Sequence, residues 1–452
     1  MKAGKWITAS ADDEVAIFSG GALERGAFWK RVHGLENSIR GHSARRWAIV
    51  CEDSSLFAAG LIALANCRRI IVLPQSYLAG AVGKDLEFDA VLSDHPENYP
   101  EYNCMNILAA STDAGGNPCF PDDDVRVEFQ TSGSTGIPKC VPKVFAQLRN
   151  EVQTLENQWG ATLGRAVIIG TVPHHHLYGL LFRVLWPLLT GRPFLSQACL
   201  HPAELRNLQV QMPKAIVSSP AFLSRIDDFS ELPSATDVAA IFSSGAPLPD
   251  ATARKFVEIW GRPVTEIYGS TETGGIAWRA GAAYGERSPW RPFSGVQLDS
   301  RQEPYGDRLW VRSPCTWQSE WTATGDLARI HADGTLELLG RSDDVVKIAD
   351  KRVSLGEIRT RLAAHTMVAD ARLVLIAGRR SMIGAVVILN PSGQVLLKTS
   401  GKKPVCDTLR AWLRERYEPV MIPKKWRFVD TFPGTDMGKI ENQRMQQLFT
   451  QP

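Results

Sequence analysis

Short apolar runs, each closed by a small or turn-forming residue, recur through the first two thirds of the chain with longer helical patterns between them. Trp47-Ala-Ile-Val-Cys51 is followed by an Ala/Leu-rich stretch over 56–66, then by Ile70-Ile-Val-Leu-Pro74 and Ala90-Val-Leu-Ser93. The pattern resumes at Ala166-Val-Ile-Ile-Gly170, Ala215-Ile-Val-Ser-Ser219, Ala239-Ala-Ile-Phe-Ser-Ser-Gly245 and Val264-Thr-Glu-Ile-Tyr-Gly269. Strand-like runs alternating with helical segments predict βαβ units and parallel sheet. In open α/β sheets the ligand lies beyond the carboxyl ends of the strands, so the loops after these runs are where chemistry is expected.

From about residue 305 the texture changes to Arg308-Leu-Trp-Val-Arg312, Leu327-Ala-Arg-Ile330 and Thr335-Leu-Glu-Leu-Leu339, separated by Gly and Asp. This predicts an antiparallel, β-rich subdomain over about 295–341. The charged turn beginning at Gly340 then precedes a tail of mixed helices and strands. The expected organisation is an α/β fold: a large N-terminal domain over 1–341, built of α/β layers with parallel-type sheets, and a small α+β C-terminal domain over 342–452.

Composition narrows the picture. The 452 residues are 44% hydrophobic and 22% charged, which is ordinary for a globular protein of more than one domain. A formal charge of +3 without a dense Lys/Arg run gives a nucleic-acid role no electrostatic support. No apolar stretch approaches membrane-spanning length and the start carries no apolar h-region, so the expected location is the cytoplasm. Eight scattered cysteines without C-x-x-C pairs read as mostly reduced core residues.

The densest chemistry is Thr131-Ser-Gly-Ser-Thr-Gly-Ile-Pro-Lys139. Gly133 and Gly136 let backbone N–H groups approach an anion, Thr131, Ser132, Ser134 and Thr135 add hydroxyls, and Lys139 adds a positive charge. Only two residues separate the glycines and Pro138 precedes Lys139, so this is not a Walker-type loop. A mobile Ser/Thr/Gly linker has the same composition, and the choice between them rests on what lies downstream.

Downstream come Pro173-His-His-His-Leu-Tyr-Gly179, Ser243-Ser-Gly-Ala-Pro-Leu248, Tyr268-Gly-Ser-Thr-Glu272, Thr324-Gly-Asp326, Gly340-Arg-Ser-Asp-Asp344 with Lys347 and Arg352, and Gly438-Lys439. Together with the loop at 131–139 they resemble, in the same order, the motifs of the adenylate-forming superfamily of acyl- and aryl-CoA ligases, peptide-synthetase adenylation domains and luciferases. The resemblance covers about 45–445.

It implies that a carboxylate attacks the α-phosphorus of ATP to give an acyl-adenylate and pyrophosphate, with the C-terminal domain moving as a lid. Residues 131–139 would hold the leaving phosphates, and Thr271 and Glu272 would help bind Mg2+, a hard cation suited to oxygen ligands. Gly245, Ala246 and Pro247 with Tyr268 would enclose adenine, followed by Gly269 and Ser270 in the nucleotide-contacting turn. Asp326 would accept from both ribose hydroxyls and Arg341 would contact the nucleotide from the hinge. Lys439 would bridge carboxylate and α-phosphate oxygens, and Thr131, His176, Glu272 and Lys439 form the expected catalytic set.

If 174–176 were extended, His174 and His176 would face one side and His175 the other, which argues against one metal held by all three. His176 is expected to orient substrate, with the other two structural. No carboxylate lies in Val172–Phe182, where α-amino-acid-activating relatives carry an aspartate, so an aryl or fatty acid is expected. Ser244 stands where many relatives have Gly or Ala, and Asp350 where they have Gly in Lys-x-x-Gly-x-Arg. Asp350 puts the thioester step in question. The expected partners are therefore a small carboxylic acid and CoA or an acyl carrier protein, with a homodimer left open. A non-catalytic nucleotide or acyl binder is the competing class. A serine hydrolase is disfavoured because no Gly-x-Ser-x-Gly elbow occurs.

Overall fold

In this computed structural model the described residues are 10–77, 82, 87–112, 115–132, 138–208, 210–280, 288–303, 306–316, 320–341, 345–348, 351–376, 382–433 and 442–449. The chain divides into two compact units, Met1–Gln297 with Arg312–Thr322, and Leu298–Val311 with Ala323–Pro452.

The first unit holds two sheets. One has six strands in the order Cys104–Asn106, Ala90–Ser93, Arg46–Val50, Ile70–Leu73, Arg126–Ser132, Pro138–Val144. All neighbours are parallel except the last pair, an antiparallel hairpin in register at Thr131↔Lys139 and Ser132↔Pro138. The other has nine strands, with a parallel centre running Thr265–Ser270, Val238–Ser243, Lys214–Ser218, Val167–Gly170, Phe194–Leu195, Glu14–Phe18 and antiparallel edges. The apolar runs read from the sequence are these parallel strands, and both faces are covered. Lys214–Ser218 and Val167–Gly170 are buried at every position.

Helix Ser54–Asn66 is buried nearly all round and starts where the Asp53 carboxylate accepts from the Ser55 and Leu56 N–H groups at 2.7 and 3.0 Å. Helix Phe145–Leu163 is amphipathic, burying Phe145, Leu148, Val152, Leu155 and Trp159 together with two polar residues, Gln147 and Glu151. An aromatic cluster packs beside it: Trp159 lies 5.0 Å from Phe242 and 5.6 Å from Trp278, and Phe182 lies 5.2 Å from Phe242, ring centre to ring centre.

The second unit contains a four-stranded sheet in sequential order, Gln297–Glu303, Gly306–Arg312, Thr322–Ile330 and Leu336–Arg341, whose last pair is antiparallel. It also holds a two-stranded hairpin, Val345–Ile348 with Lys351–Ser354, and a three-stranded sheet of Val368–Ile376, Met382–Leu389 and Lys425–Phe428. Helices Leu355–Ala363 and Lys402–Arg414 cover that sheet through Ile358, Leu362, Leu409 and Leu413. Compactness thus groups most of the β-rich segment of about 295–341 with the tail, leaving Arg312–Thr322 with the first unit, whereas the sequence pattern places the segment with the N-terminal domain. Helix Leu355–Ala363 packs beside strand Leu336–Arg341. Of the eight cysteines, Cys51, Cys199, Cys315 and Cys406 are buried, while Cys119 and Cys140 are exposed. Among the described residues no helix is long and apolar enough to cross a membrane.

Candidate active site

In the first unit the motif-bearing segments fall where parallel-sheet topology places ligands. Val167–Gly170 leads into 171–176, Val238–Ser243 into 244–248, and Thr265–Ser270 into the turn 271–273. Thr131 and Lys139 lie on the paired hairpin strands Arg126–Ser132 and Pro138–Val144. Thr131 Oγ1 donates to the Lys139 carbonyl at 3.4 Å and Lys139 is exposed. Ser132 is described only as backbone, and Gly133, Ser134, Thr135 and Gly136 lie outside the described residues.

The triple histidine is a turn rather than an extended segment, so simple alternation does not apply. Gly179 makes the turn possible, because a Cβ there would lie 1.9 Å from the Pro173 carbonyl oxygen. The chain then passes through one helical turn, Leu177–Gly179, into a π-helical stretch, Leu180–Leu185, before Trp186–Thr190. Interruptions of this kind are frequent at functional sites.

His174 and His175 are buried with defined protonation. His174 Nε2 lies 2.8 Å from the Cys51 carbonyl, which only accepts, so Nε2 carries the proton. Nδ1 then accepts from Ser54 Oγ at 3.0 Å, and Arg183 Nη2 donates to that Oγ at 2.8 Å. Burial first, then Arg183, holds His174 well below its ordinary range. His175 Nε2 donates to the Gln75 carbonyl at 3.3 Å, and burial pushes this imidazole down to about 4. Arg183 is itself buried and pulled down to about 10 by desolvation, so it remains charged at neutral pH, donating also to the Val172 carbonyl. This Arg183–Ser54–His174 chain fixes 172–176 from behind, while the partly exposed His176 has its ring centre 4.4 Å from that of His175.

The loop 244–248 is anchored in a similar way. Gly245 has φ of +96°, and Gly245, Ala246 and Pro247 are exposed. Buried Glu266 accepts from the Leu248 N–H at 3.2 Å and takes a two-pronged ion pair from Arg279 at 2.8 and 3.0 Å. Ser244 does not leave a free hydroxyl facing a ligand, since its Oγ donates to the Ile267 carbonyl at 2.9 Å. Tyr268 is partly exposed, its ring centre 5.6 Å from that of Trp290.

The next turn is tight. Ser270 Oγ and Thr273 Oγ1 are 3.0 Å apart, and Thr271 and Glu272 are partly exposed at its tip, with Gly269 and Ser270 paired against Gly275 and Gly274. A hydroxyl and a carboxylate on a hairpin tip fit a hard divalent cation, which when bound would neutralise triphosphate charge.

In the second unit the sheet brings together two residues singled out by their motifs. Asp326 and Arg341 are cross-strand partners, Arg341 Nη1 stands 3.8 Å from Asp326 Oδ1, and a Cβ on Gly325 would meet the Arg341 guanidinium at 2.5 Å. The side chains of Lys347 and Arg352 are not described. Asp350, Gly438 and Lys439 lie outside the described residues. Sequence reasoning misses Arg183, Ser54, Glu151 and Glu266. A charged residue inside an apolar run, as at Arg183 and Glu266, is the signal that could flag two of them.

The fold and these loops define a nucleotide-using α/β enzyme of the acid-activating type. The profile of the AMP-binding enzyme family matches residues 61–305, more than half of the chain, and the chain belongs to that family. It is 28% identical over 319 residues to a 4-coumarate–CoA ligase of Rhodobacter capsulatus, covering 70% of this chain and 75% of the relative. It is also 28% identical over 376 residues to a phosphinothricin tripeptide synthetase of Streptomyces viridochromogenes, covering 75% of this chain and 33% of that longer protein. Among solved structures, ATP-bound MatB from Rhodopseudomonas palustris superposes with a TM-score of 0.80 at 19% identity, covering 99% of both chains. A benzoate CoA ligase from Burkholderia xenovorans gives 0.78 at 21% identity, covering 98% of this chain and 99% of the other. Membership carries the reaction class, ATP-dependent activation of a carboxylic acid in the manner of AMP-forming acyl-CoA ligases.

Proposed function

We propose that this protein joins an aryl carboxylic acid to the AMP portion of ATP, releasing pyrophosphate, and then passes the acyl group to a pantetheine thiol, releasing AMP. The observation that carries the reading is the placement of the segments 171–176, 244–248 and 271–273, each following a strand of one parallel sheet at its carboxyl end. Catalysis of this attack is management of negative charge and position. Thr131 to Lys139 would hold the leaving phosphates, Thr271 and Glu272 the magnesium, and Gly245 to Pro247 with Tyr268 the adenine. His176 would orient the acid. Asp326 and Arg341 are assigned to the ribose and nucleotide by motif, and Lys439 to the carboxylate and α-phosphate oxygens.

An aryl acid is proposed over a fatty acid; the segment after His176 is itself aromatic, with Phe182 and Trp186 packed in the core. Tyr178 and Phe182 have ring centres 4.7 Å apart, and Phe182 continues into Phe242 and Trp186. Several 4-coumarate–CoA ligases among the relatives support this direction. The acceptor is proposed as CoA or a carrier protein, with the C-terminal tail moving between steps.

Pyrophosphate–ATP exchange with a panel of aromatic and aliphatic acids tests the reading. Exchange dependent on an aromatic acid is expected, and Lys439→Ala should lower it by about 100-fold or more with the fold intact. No acid-dependent exchange across the panel refutes the function, and unchanged exchange in Lys439→Ala removes that residue from catalysis.

A further inference from the structure

Behind the magnesium-type turn lies a buried polar cluster that the expected machinery does not use. Lys143, at the end of the hairpin strand leading from the phosphate loop, is 1% exposed, and its Nζ donates to the Cys315 carbonyl at 2.6 Å. One helical face then carries Gln147 and Glu151. Gln147 Oε1 accepts from the Val144 N–H at 2.9 Å, and its Nε2 donates to the Thr316 carbonyl at 2.9 Å. Glu151 is 6% exposed and its Oε2 accepts from the Gly275 N–H at 3.0 Å, whereas Oε1 is buried without a hydrogen-bond partner among the described residues. The carboxylate also packs against the turn: a Cβ at Gly274, where φ is +72°, would meet Oε1 at 2.6 Å.

A buried carboxylate with one oxygen unsatisfied is costly, so its retention calls for a role. The bond it accepts from Gly275 reaches the backbone two residues beyond the turn Thr271–Thr273, on the strand that pairs Gly269 with Gly275. Ser313 Oγ, donating to the Thr273 carbonyl at 3.4 Å, braces the same turn from the segment Lys143 holds. Hydrogen-bond partners behind metal ligands fix ligand orientation and affinity.

We propose that Glu151 is a positioning residue for adenylation, holding the turn of Thr271 and Glu272 in place against the helix that continues the phosphate-loop hairpin. The proposal rests on the function given above. It does not make Glu151 a ligand; Glu151 acts through the Gly275 N–H.

The test uses the full chain and three variants, E151Q, E151D and E151L, with two readouts: the Mg2+ dependence of pyrophosphate exchange at fixed ATP, and amide hydrogen exchange over 269–278. E151Q keeps an acceptor for the Gly275 N–H and should stay close to wild type in both. E151L should raise the half-activating Mg2+ concentration about tenfold, leave the KM for the acid nearly unchanged and speed amide exchange in that segment. E151D, which draws the acceptor back by one methylene, should move both readouts in the same direction and decides the matter if E151L fails to fold. Wild-type Mg2+ dependence and amide protection in both E151L and E151D would overturn the brace while leaving the function standing. Absence of acid-dependent exchange in the wild type would overturn both.

Discussion

Acidification should weaken the protein through His175, and the size of the effect follows from its surroundings. The imidazole is buried, donates to the Gln75 carbonyl, and is packed by Tyr77 with ring centres 4.1 Å apart, by His176 at 4.4 Å and by His174 at 6.1 Å. Burial, reinforced by the Arg183 charge, holds it at about 4 against an ordinary 6.5. Because the folded value lies below the unfolded one, the stability His175 contributes is fully present above pH 6.5 and is lost as pH falls toward 4. At pH 5 the unfolded chain has bound the proton and the folded one largely has not, which lowers stability by about 2 kcal/mol relative to pH 7.5. That is a large part of a typical total of about 5–15 kcal/mol. Urea unfolding of the wild type and of His175→Gln, followed by tryptophan fluorescence at pH 7.5 and 5, measures it. His174 shifts in the same direction in both proteins, chiefly through burial and Arg183, which the variant leaves in place. The wild type should lose about 2 kcal/mol more than the variant on acidification. An equal loss in the two would refute the assignment of a buried, neutral His175.

Two further substitutions address the same region. Arg183→Met leaves Ser54 Oγ and the Val172 carbonyl without their guanidinium donors in a buried setting, and should cost about 2–4 kcal/mol in urea unfolding; Arg183→Lys should not restore it, because one ammonium does not reproduce the planar fork. Gly179→Ala drives a methyl into the Pro173 carbonyl, so the turn carrying His176 must shift, and acid-dependent exchange should fall by about 100-fold. Wild-type exchange in that variant would show that the turn's position is not needed for activity.

What can be read from the sequence is local. Val167–Gly170, Lys214–Ser218 and Val238–Ser243 are legible because strands covered on both faces are nearly continuous apolar runs, and the loops after them inherit their place from parallel topology. Asp326 and Arg341 are visible only as members of two separate motifs; their meeting needs the antiparallel register of Thr322–Ile330 with Leu336–Arg341. The histidine turn is not extended, because its shape is set by Gly179 closing on Pro173, a contact that strand periodicity does not encode. The polar anchors are illegible because their partners are distant in sequence: 124 residues separate Glu151 from Gly275, and 129 separate Arg183 from Ser54.

Those long-range bonds share a purpose that the motifs by themselves do not reveal. Loops rich in Gly, Ser and Thr have little side-chain packing of their own and would sample many conformations if only their ends were fixed. Two such segments are tied to the body behind them, 244–248 by Glu266 and Arg279 and 270–275 by Glu151 and Ser313, and the histidine turn 172–176 is held by Arg183, Ser54 and Cys51. Breaking such a buried bond costs about 1–3 kcal/mol, so the loops are held before any ligand arrives. Charge-stabilising groups need this, because donors already in place lose nothing to reorganisation when charge develops. On the proposed assignment, the ionised or buried residues that hold the loops would be as much a part of the chemistry as the hydroxyls and glycines they carry.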